Sequence, residues 1–276
     1  MRIVTISRLV GSYADVIAAT VARRMQLELV GRDQVHELAQ NCDPEYSRAC
    51  DLYETEHGPG FFERIFFDRP SYTSLFEALT FEKASTGNVV LVGRGAQVVL
   101  RGIPGIFKCR IVAPFDLRVE RIMERYNFTK SEAQDFIVKY DHDRENLIRS
   151  IFRSDPNEWS LYDLILNTEH YESSEASDVI IEAIEKMQKA QDEAALCEKL
   201  RNISVAKRLE ALLRRKLSSS IARNVEIQYE TGGIVIISGR IAERRDKERA
   251  EKLIKEYPGV TEVKNDLKIT ELTFGL

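Results

Sequence analysis

The nine residues from Ser7 to Asp15 have the composition of a phosphate-binding loop. Their sequence is Ser-Arg-Leu-Val-Gly-Ser-Tyr-Ala-Asp, preceded by a short apolar stretch and followed by a helical pattern. A loop that opens into a helix presents free backbone N–H groups and the positive end of the helix dipole to an anion. The candidate residues of such a site are Arg8, Gly11, Ser12, Tyr13, Ala14 and Asp15.

This loop departs from the strongest phosphate-binding pattern, GxxxxGK[ST]. In that pattern a lysine neutralises the β- and γ-phosphate oxygens, and a hydroxyl helps to hold Mg²⁺. Here the loop has one glycine and no lysine, and Asp15 would repel a triphosphate at the start of the helix. The alternative is that Ser12 or Asp15 only caps the helix, as serine and aspartate commonly do.

A set of arginines forms the second group of candidates, because phosphoryl transfer needs positive charge around the transferring group. Arg118 and Arg121 are three residues apart and would share one face of a helix. Asp141 precedes Arg144 by one helical turn and could orient it. Arg94 follows a strongly apolar strand, at the sheet edge where α/β proteins bind ligands. The alternative for the helical arginines is a pair of solvated, salt-bridged helices, and the alternative for Arg94 is a capped loop arginine.

Alternating strands and helices position these residues. Apolar runs predict strands at 2–6, 88–92, 107–112 and 162–167. Helical spacing, with a capping box at 129–132, predicts helices at 14–25, 115–126 and 130–153, a short helix before residue 100, and a mostly helical stretch at 33–86. This order indicates an α/β domain with a parallel sheet covered by helices.

The pattern changes in the last third of the chain. A charged helical pattern runs from 176 to about 217, and strands at 225–229, 234–239 and 260–269 then enclose a helix at 243–257. The charge changes too: residues 1–190 have 23 basic and 30 acidic side chains, whereas residues 191–276 have 17 and 14. We therefore predict two domains, 1–195 and 196–276, the second a small α-β-β-α-β unit.

The composition excludes several functional classes. The four cysteines and four histidines lack metal-ligand spacing, so no metal site is predicted. No apolar run is long enough to span a bilayer, and the N-terminal apolar stretch is too short for a signal peptide, so we expect a cytoplasmic protein. The net charge of -4 makes nucleic acid an unfavourable partner.

Taken together, the motifs of residues 1–190 resemble those of the cytidylate kinase-like family of P-loop nucleotide kinases. The resemblance rests on Ile-Ser-Arg-x-x-Gly-Ser at 6–12, Val-Gly-Arg-Gly-Ala at 92–96, Ala-Pro-x-x-x-Arg-Val-x-Arg at 113–121, Asp-x-x-Arg at 141–144 and Tyr-Asp-Leu-Ile-Leu-Asn-Thr at 162–168. It implies a P-loop kinase fold with a helical lid. It also implies phosphoryl transfer from ATP, with Mg²⁺, to a nucleoside monophosphate.

The resemblance also implies roles for single residues. Arg118, Arg121 and Arg144, with Asp141, would belong to a lid that closes over the phosphates, and Arg94 would hold the monophosphate of the acceptor. Members of the family usually read Gly-Ser-Gly-Gly in the loop. Tyr13 and Ala14 replace the two later glycines here.

Residues 200–270 resemble a BON domain. The resemblance rests on Gly-Ile-Val-Ile-Ile-Ser-Gly at 233–239, Glu-Arg-Ala at 248–250, Tyr-Pro-Gly-Val at 257–260 and Val-Lys-Asn-Asp-Leu at 263–267. It implies a module that binds a protein partner or an anionic phospholipid and carries no chemistry. Six basic residues on the preceding helix either face such a lipid or only solubilise the helix. They are Arg201, Lys207, Arg208, Arg214, Arg215 and Lys216.

Two functional hypotheses follow. The first is a nucleoside monophosphate kinase of the cytidylate type, coupled to a BON binding module. The second is a catalytically inactive, kinase-like protein that senses a nucleotide or mediates an interaction. The altered loop favours the second hypothesis, and the separated arginines favour the first.

Overall fold

The computed structural model describes residues 1–31, 69–187, 192–217, 225–241 and 243–269. These residues form two compact units. The first contains residues 1–31 and 86–193, and the second contains residues 69–85 and those from Ala194 onward. The part of the predicted helical stretch between residues 33 and 68 lies outside the described residues.

The strands are, in chain order, β1 (Ile3–Arg8), β2 (Glu28–Val30), β3 (Val89–Val92), β4 (Ile106–Val112), β5 (Leu164–Asn167), β6 (Val225–Glu230), β7 (Ile234–Ile241) and β8 (Glu262–Ile269). The helices are α1 (Ala14–Met25), α2 (Arg69–Ser85), α3 (Ala96–Val99), α4 (Phe115–Tyr126), α5 (Lys130–Phe152), α6 (Ser173–Met187), α7 (Glu193–Lys216) and α8 (Arg244–Lys255). No helix among the described residues is long and apolar enough to cross a membrane.

A five-stranded parallel sheet in the order β2-β3-β1-β4-β5 organises the first unit. In the central strand, Ile3 lies level with Val89 of β3 on one side and with Ile106 of β4 on the other. Helices α1 and α6 pack over this sheet, and their Ile17 and Ile180 are fully buried in its core. The predicted α/β fold is therefore confirmed. Because the strands are parallel, the carboxyl ends of β1, β3 and β4 meet at one edge, where ligands of such sheets bind.

Helices α4 and α5 form an antiparallel pair beside this edge. They pack through Val119 and Ile122 of α4 and Ala133 and Ile137 of α5. The predicted capping box starts α5: the Thr129 hydroxyl accepts a hydrogen bond from the Glu132 N–H, and the Glu132 carboxylate accepts one from the Thr129 N–H at 2.7 Å. The Thr129 hydroxyl also donates to the Glu132 carboxylate at 2.7 Å. This bond, followed by the one from the Thr129 N–H, lowers the pKa of Glu132. The pair forms the scaffold on which the candidate arginines are mounted.

The second unit contains a three-stranded sheet in the order β6-β7-β8. Strands β6 and β7 are antiparallel, whereas β7 and β8 are parallel and are connected through α8. The core includes Leu209 and Leu213 of α7, Val235 and Ile237 of β7, and Ile254 of α8. The predicted α-β-β-α-β order is confirmed. The predicted helical pattern from 176 to about 217 corresponds to α6 and α7.

Helix α2 belongs to the second unit, although it lies between two strands of the first unit in the sequence. It is joined to α7 by polar contacts. The hydroxyl of Ser204 donates to the Ala78 carbonyl at 2.9 Å, and Lys207 pairs with Glu77 at 3.1 Å. Arg208 pairs with Glu82. Part of the basic face of α7 is therefore used inside the protein.

Candidate active site at the loop between β1 and α1

The loop after β1 makes a tight turn into α1. Gly11 has a φ of +76°, and Tyr13, the N-cap residue of α1, has a φ of +59°. The cap expected from Ser12 or Asp15 is not formed: no side chain of the described residues caps this helix at Tyr13. The buried Ser12 hydroxyl instead donates to the Leu9 carbonyl at 2.7 Å.

The glycine of this loop allows a close approach of α4. A Cβ atom added at Gly11 would lie 3.1 Å from both the Cβ and the carbonyl oxygen of Arg118, and the backbone there is left-handed. The loop is also tied to β4, because the Leu9 N–H donates to the Ile111 carbonyl at 3.1 Å. Gly11 thus brings the backbone of the loop against the first candidate arginine.

Arg118 and Asp141 connect the loop to the helix pair. Arg118 is buried and donates from Nη1 to the Val10 carbonyl at 3.2 Å. The same guanidinium pairs with Asp141, whose other oxygen accepts the Val10 N–H at 3.1 Å. The hydrogen bonds of Asp141 go to α4 and the loop, and its charge favours the charged form of Arg144. The orientation of Arg144 by Asp141 stays a prediction.

Arg121 binds the other side of the loop and the end of β5. It donates to the Thr168 hydroxyl at 3.1 Å and to the Thr168 carbonyl at 3.0 Å, with a longer contact of 3.4 Å to the Gly11 carbonyl. Its guanidinium carbon lies 4.1 Å above the centre of the Tyr13 ring. Arg118 and Arg121 therefore reach the same loop from one helix face, as their spacing predicted.

Thr168 is a site residue that the sequence reasoning did not single out. Its hydroxyl lies 3.2 Å from the Ser12 carbonyl and 3.3 Å from the Val112 carbonyl. It therefore links three parts of the site edge: the loop, the end of β4 and Arg121. The sequence could have indicated Thr168 as a site residue by its position at the end of the motif at 162–168, where a polar residue follows a strand.

Arg8 and Arg144 form a second cationic pair beside the loop. The Arg8 Nε lies 2.9 Å from a carboxylate oxygen of Asp15. Burial, followed by the charge of Arg8, lowers the pKa of Arg144 to about 10, although Tyr140, Asp15 and Asp141 oppose this shift. The enclosed Nη1 of Arg144 has no hydrogen-bond partner among the described residues. The Nε atoms of Arg8 and Arg118 are also buried without such a partner, so three strong donors in this region are left unsatisfied.

Arg94 lies where the sequence placed it, directly after β3. It is half-buried and has a φ of +56°, between two glycines that also have positive φ. The ring of Phe152, the last residue of α5, packs so closely against Gly95 that a Cβ there would lie 2.9 Å from its Cδ2. The end of α5 therefore packs against the loop that carries Arg94.

A buried network around Arg110 was also missed from the sequence. Arg110 donates to the carbonyl of Pro156 at 2.6 Å, to the amide oxygen of Asn157 at 2.7 Å and to the Tyr162 hydroxyl at 3.1 Å. These three partners are neutral, and they come from the segment that follows α5. Arg110 therefore fastens this segment to β4. Sequence reasoning had no local signal for it, since the partners lie 46 to 52 positions away.

An open groove lies on the solvent-facing side of α1. Its volume is about 740 Å³, and Tyr13 is 40% exposed beside it. The lining residues are Tyr13, Asp15, Val16, Ala19, Thr20, Arg23, Arg121, Glu124 and Arg125. Because the Tyr13 ring faces this groove, it lies outside the turn of the loop itself. The groove combines an aromatic ring, small side chains, three arginines and the two carboxylates of Asp15 and Glu124.

The site fits an anion better than a free metal ion. Arg8, Arg118, Arg121 and Arg144 surround one loop. Three of their buried donors have no hydrogen-bond partner among the described residues, namely Nε of Arg8, Nε of Arg118 and Nη1 of Arg144. In the described parts of the chain, no group of three or more acidic, His or Cys residues could hold a metal. Asp15 is the carboxylate at the start of α1, and it is paired with Arg8. Mg²⁺ would therefore have to arrive with phosphate oxygens, as it commonly does.

Comparisons with known proteins agree with this geometry. The model of the cytidylate kinase-like family matches residues 3–170, and that of the BON domain matches residues 206–271. A cytidylate kinase from Methanopyrus kandleri is 27% identical over 199 residues, which cover 69% of this chain and 96% of that protein. One from Staphylothermus marinus is 30% identical over 120 residues, 44% of this chain and 67% of that protein.

Among solved structures, an uncharacterized protein from Eubacterium ventriosum has the same fold. Its TM-score is 0.52 at 19% identity, and the match covers 67% of this chain and 99% of that one. At this identity the likeness bears on the fold alone.

Proposed function

Since the chain belongs to the cytidylate kinase-like family and carries a BON domain, we propose that its first unit transfers a phosphoryl group from ATP to a nucleoside monophosphate. The observation that carries this proposal is the meeting of Arg8, Arg118, Arg121 and Arg144 at the loop between β1 and α1. Arginines placed in this way stabilise the charge that develops on a transferring phosphoryl group.

The proposal assigns roles by position. The phosphates of ATP lie along Gly11, Ser12, Tyr13 and Ala14, at the N-terminus of α1, where the helix dipole favours an anion. Arg118, Arg121 and Arg144 bind the transferred group. Their helices act as the lid, with Asp141 holding Arg118.

The acceptor belongs on the neighbouring side of the sheet edge. Arg94 follows β3, which pairs with β1, so its loop and the phosphate loop leave the sheet side by side. A nucleoside monophosphate bound at Arg94 would receive the phosphoryl group of ATP at the sheet edge that the two loops share. Cytidylate is the first acceptor to test, because several relatives are named for it.

A second candidate function is a kinase fold that binds a nucleotide without transferring phosphate. The Ser12 hydroxyl is hydrogen-bonded to Leu9, and the side chain of Ala14 has no polar atom. Asp15 adds a negative charge at the start of α1. These features weaken Mg²⁺ and γ-phosphate binding, whereas the arginines remain suited to holding phosphates.

Two measurements on the full chain separate these functions. The protein is incubated with ATP, Mg²⁺ and each nucleoside monophosphate in turn, and diphosphate formation is followed. In parallel, ATP binding is measured by calorimetry. Turnover with one acceptor supports the kinase, binding without turnover supports the second function, and the absence of both contradicts each of them.

For the BON domain we propose binding to a protein partner or to anionic phospholipid, outside the chemistry of the first unit. Fewer basic side chains of α7 are available to a lipid surface than the sequence suggested, because Lys207, Arg208 and Arg214 form ion pairs with α2 or within α7. Sedimentation of the full chain with vesicles tests lipid binding. Binding that rises with the anionic lipid content of the vesicles supports lipid binding, and binding independent of lipid charge contradicts it.

The domain boundary at 195/196 and a cytoplasmic location stay predictions.

A further inference from the structure

The groups that should bind phosphate at the loop are occupied by two carboxylates of the chain itself. Asp141 bonds to the loop and to Arg118, and Asp15 pairs with Arg8. Both carboxylates bind donors of the kind that phosphate oxygens use, namely backbone N–H groups and guanidinium groups. This arrangement raises the question of which of the two, carboxylate or phosphate, holds the donors when both are present.

The carboxylate of Asp141 binds the loop through contacts of the kind that a phosphate group would make. One of its oxygens accepts the Val10 N–H at 3.1 Å and the other pairs with Nη1 of Arg118. Its side chain is 15% exposed and that of Arg118 is 8% exposed, so water competes little for these bonds. A phosphate oxygen entering the loop would need the same two donors. It therefore has to compete with Asp141 for them.

Asp15 plays the corresponding part on the other side of the loop. It neutralises Arg8 at 2.9 Å, and its negative charge also favours the charged form of Arg144. Its side chain is 59% exposed, so it can turn away into water at little cost. The unsatisfied Nη1 of Arg144 shows that the two carboxylates do not use all the donors of this cluster.

We propose that Asp15 and Asp141 are internal competitors of phosphate, and that a polyphosphate chain binds the loop by displacing them from Arg8, Val10 and Arg118. This inference rests on the proposed function in taking the triphosphate of a nucleotide as the natural ligand. In this inference Asp141 holds Arg118, and Asp15 holds Arg8, until a polyphosphate displaces them. Removing either charge should strengthen binding of the polyphosphate rather than weaken it.

The test measures the binding of inorganic tripolyphosphate to the full chain by calorimetry. The proteins are the wild type, Asp15→Asn and Asp141→Asn, with Asp143→Asn as the matched control. Asp143 is an exposed carboxylate of the same helix as Asp141, so its substitution reproduces the change in net charge. We expect both loop variants to bind tripolyphosphate about fivefold more tightly or better, and the control to stay within about twofold of the wild type.

Folding is checked separately by thermal melting. Asp15 is exposed, so Asp15→Asn should melt like the wild type, and it keeps the test decisive if Asp141→Asn unfolds. Unchanged or weaker tripolyphosphate binding by Asp15→Asn, or by a folded Asp141→Asn, overturns the inference. An equal gain in Asp143→Asn also overturns it, because the effect would then be one of net charge alone.

The outcome is distinguishable from that of the proposed phosphoryl transfer. Tighter binding in the loop variants without diphosphate formation by the wild type would support the competition and contradict the transfer. Diphosphate formation by the wild type, together with weaker tripolyphosphate binding in the loop variants, would support the transfer and contradict the competition. Absence of tripolyphosphate binding in all four proteins contradicts the competition outright.

Discussion

At the scale of single residues, Tyr13 joins the backbone of the loop to the arginine cluster. Its φ of +59° is a conformation that a bulky residue adopts at a cost of roughly 1–2 kcal/mol. The guanidinium of Arg121, 4.1 Å from the ring centre, returns about 0.5–1 kcal/mol through a cation–π contact at a partly exposed site. The ring therefore compensates in part for the strain that the Cβ atom of Tyr13 introduces.

Two substitutions separate these effects. Tyr13→Ala removes the ring and keeps a Cβ at positive φ, whereas Tyr13→Gly removes the ring and relieves the strain. We expect Tyr13→Gly to have a free energy of unfolding about 1 kcal/mol higher than that of Tyr13→Ala. Urea denaturation of the two variants measures this difference. Equal stability would contradict a left-handed backbone at this position.

Cys109 gives a pH-dependent test of the sheet core. Burial, with a smaller effect of the Asp163 charge, raises the pKa of this thiol from 9.0 to about 12. Above pH 9 the unfolded chain releases a proton that the folded chain keeps. The free energy of unfolding should therefore fall between pH 9 and 12, by at most about 1.4 kcal/mol per pH unit from this group.

Cys109→Ala is the control for this prediction, because it removes the thiol and leaves the other titrating groups in place. Denaturant unfolding of both proteins is compared from pH 8 to 11. The wild type should lose stability more steeply than Cys109→Ala. Parallel curves would show that the thiol is not buried in the folded protein.

At the scale of elements, the pairing of α2 with α7 is the contact that local patterns did not indicate. Glu210 is 7% exposed and forms ion pairs with Lys207 at 3.1 Å and with Arg214 at 3.6 Å. The Ser74 hydroxyl of α2 lies 3.3 Å from the same carboxylate. Burial alone would lower the pKa of Lys207, but the charges of Glu210 and Glu77 outweigh it and raise that pKa.

Glu210→Ala should therefore destabilise the second unit. It leaves two partly buried cations without this carboxylate, a change that typically costs about 3 kcal/mol or more. Glu226→Ala, at an exposed position of β6, is the matched control and should change stability by less than about 0.5 kcal/mol. Chemical denaturation of the full chain measures both. Similar small effects would mean that the buried Glu210 carboxylate contributes little to the stability of the second unit.

Local patterns located most elements but not this pairing. The run Val89–Val92 is wholly apolar and precedes a glycine, so its strand and the position of Arg94 followed directly. The spacing of Arg118 and Arg121 likewise placed both on the loop. By contrast, the hydrogen-bonded residues Ser74 and Glu210 are 136 positions apart. Asp141 forms its ion pair with Arg118, 23 positions away, and not with Arg144, which lies one turn along the same helix. Such partners are selected by packing between elements, which neither helical nor strand periodicity encodes.

At the scale of the whole molecule, the two units are interleaved in sequence. The chain leaves the first unit before α2 and returns to it at Thr86, only three residues before β3. The C-terminal module thus supplies the partner of a helix that comes from the middle of the kinase-like region. A division of the chain at residue 195 would separate α2 from α7.

Hydrogen exchange tests this consequence. In a chain that ends after residue 195, α2 lacks Ser204, Lys207, Arg208 and Glu210, with which its side chains and backbone interact. We expect the amides of α2 to exchange at least about tenfold faster than in the full chain, while those of β1 and β4 stay protected. Equal protection of α2 in both chains would show that α7 does not hold it.

The central claim is that the arginine cluster at the loop performs phosphoryl transfer, and the rate of CDP formation from CMP and ATP–Mg²⁺ tests it most directly. The comparison uses the wild type, Arg121→Ala and, as a control on the exposed side of α5, Arg149→Ala. We expect measurable CDP formation by the wild type. The rate should be at least about 100-fold lower in Arg121→Ala and close to that of the wild type in Arg149→Ala. Equal rates in all three proteins, or no turnover by the wild type with CMP or any other nucleoside monophosphate, would contradict the central claim.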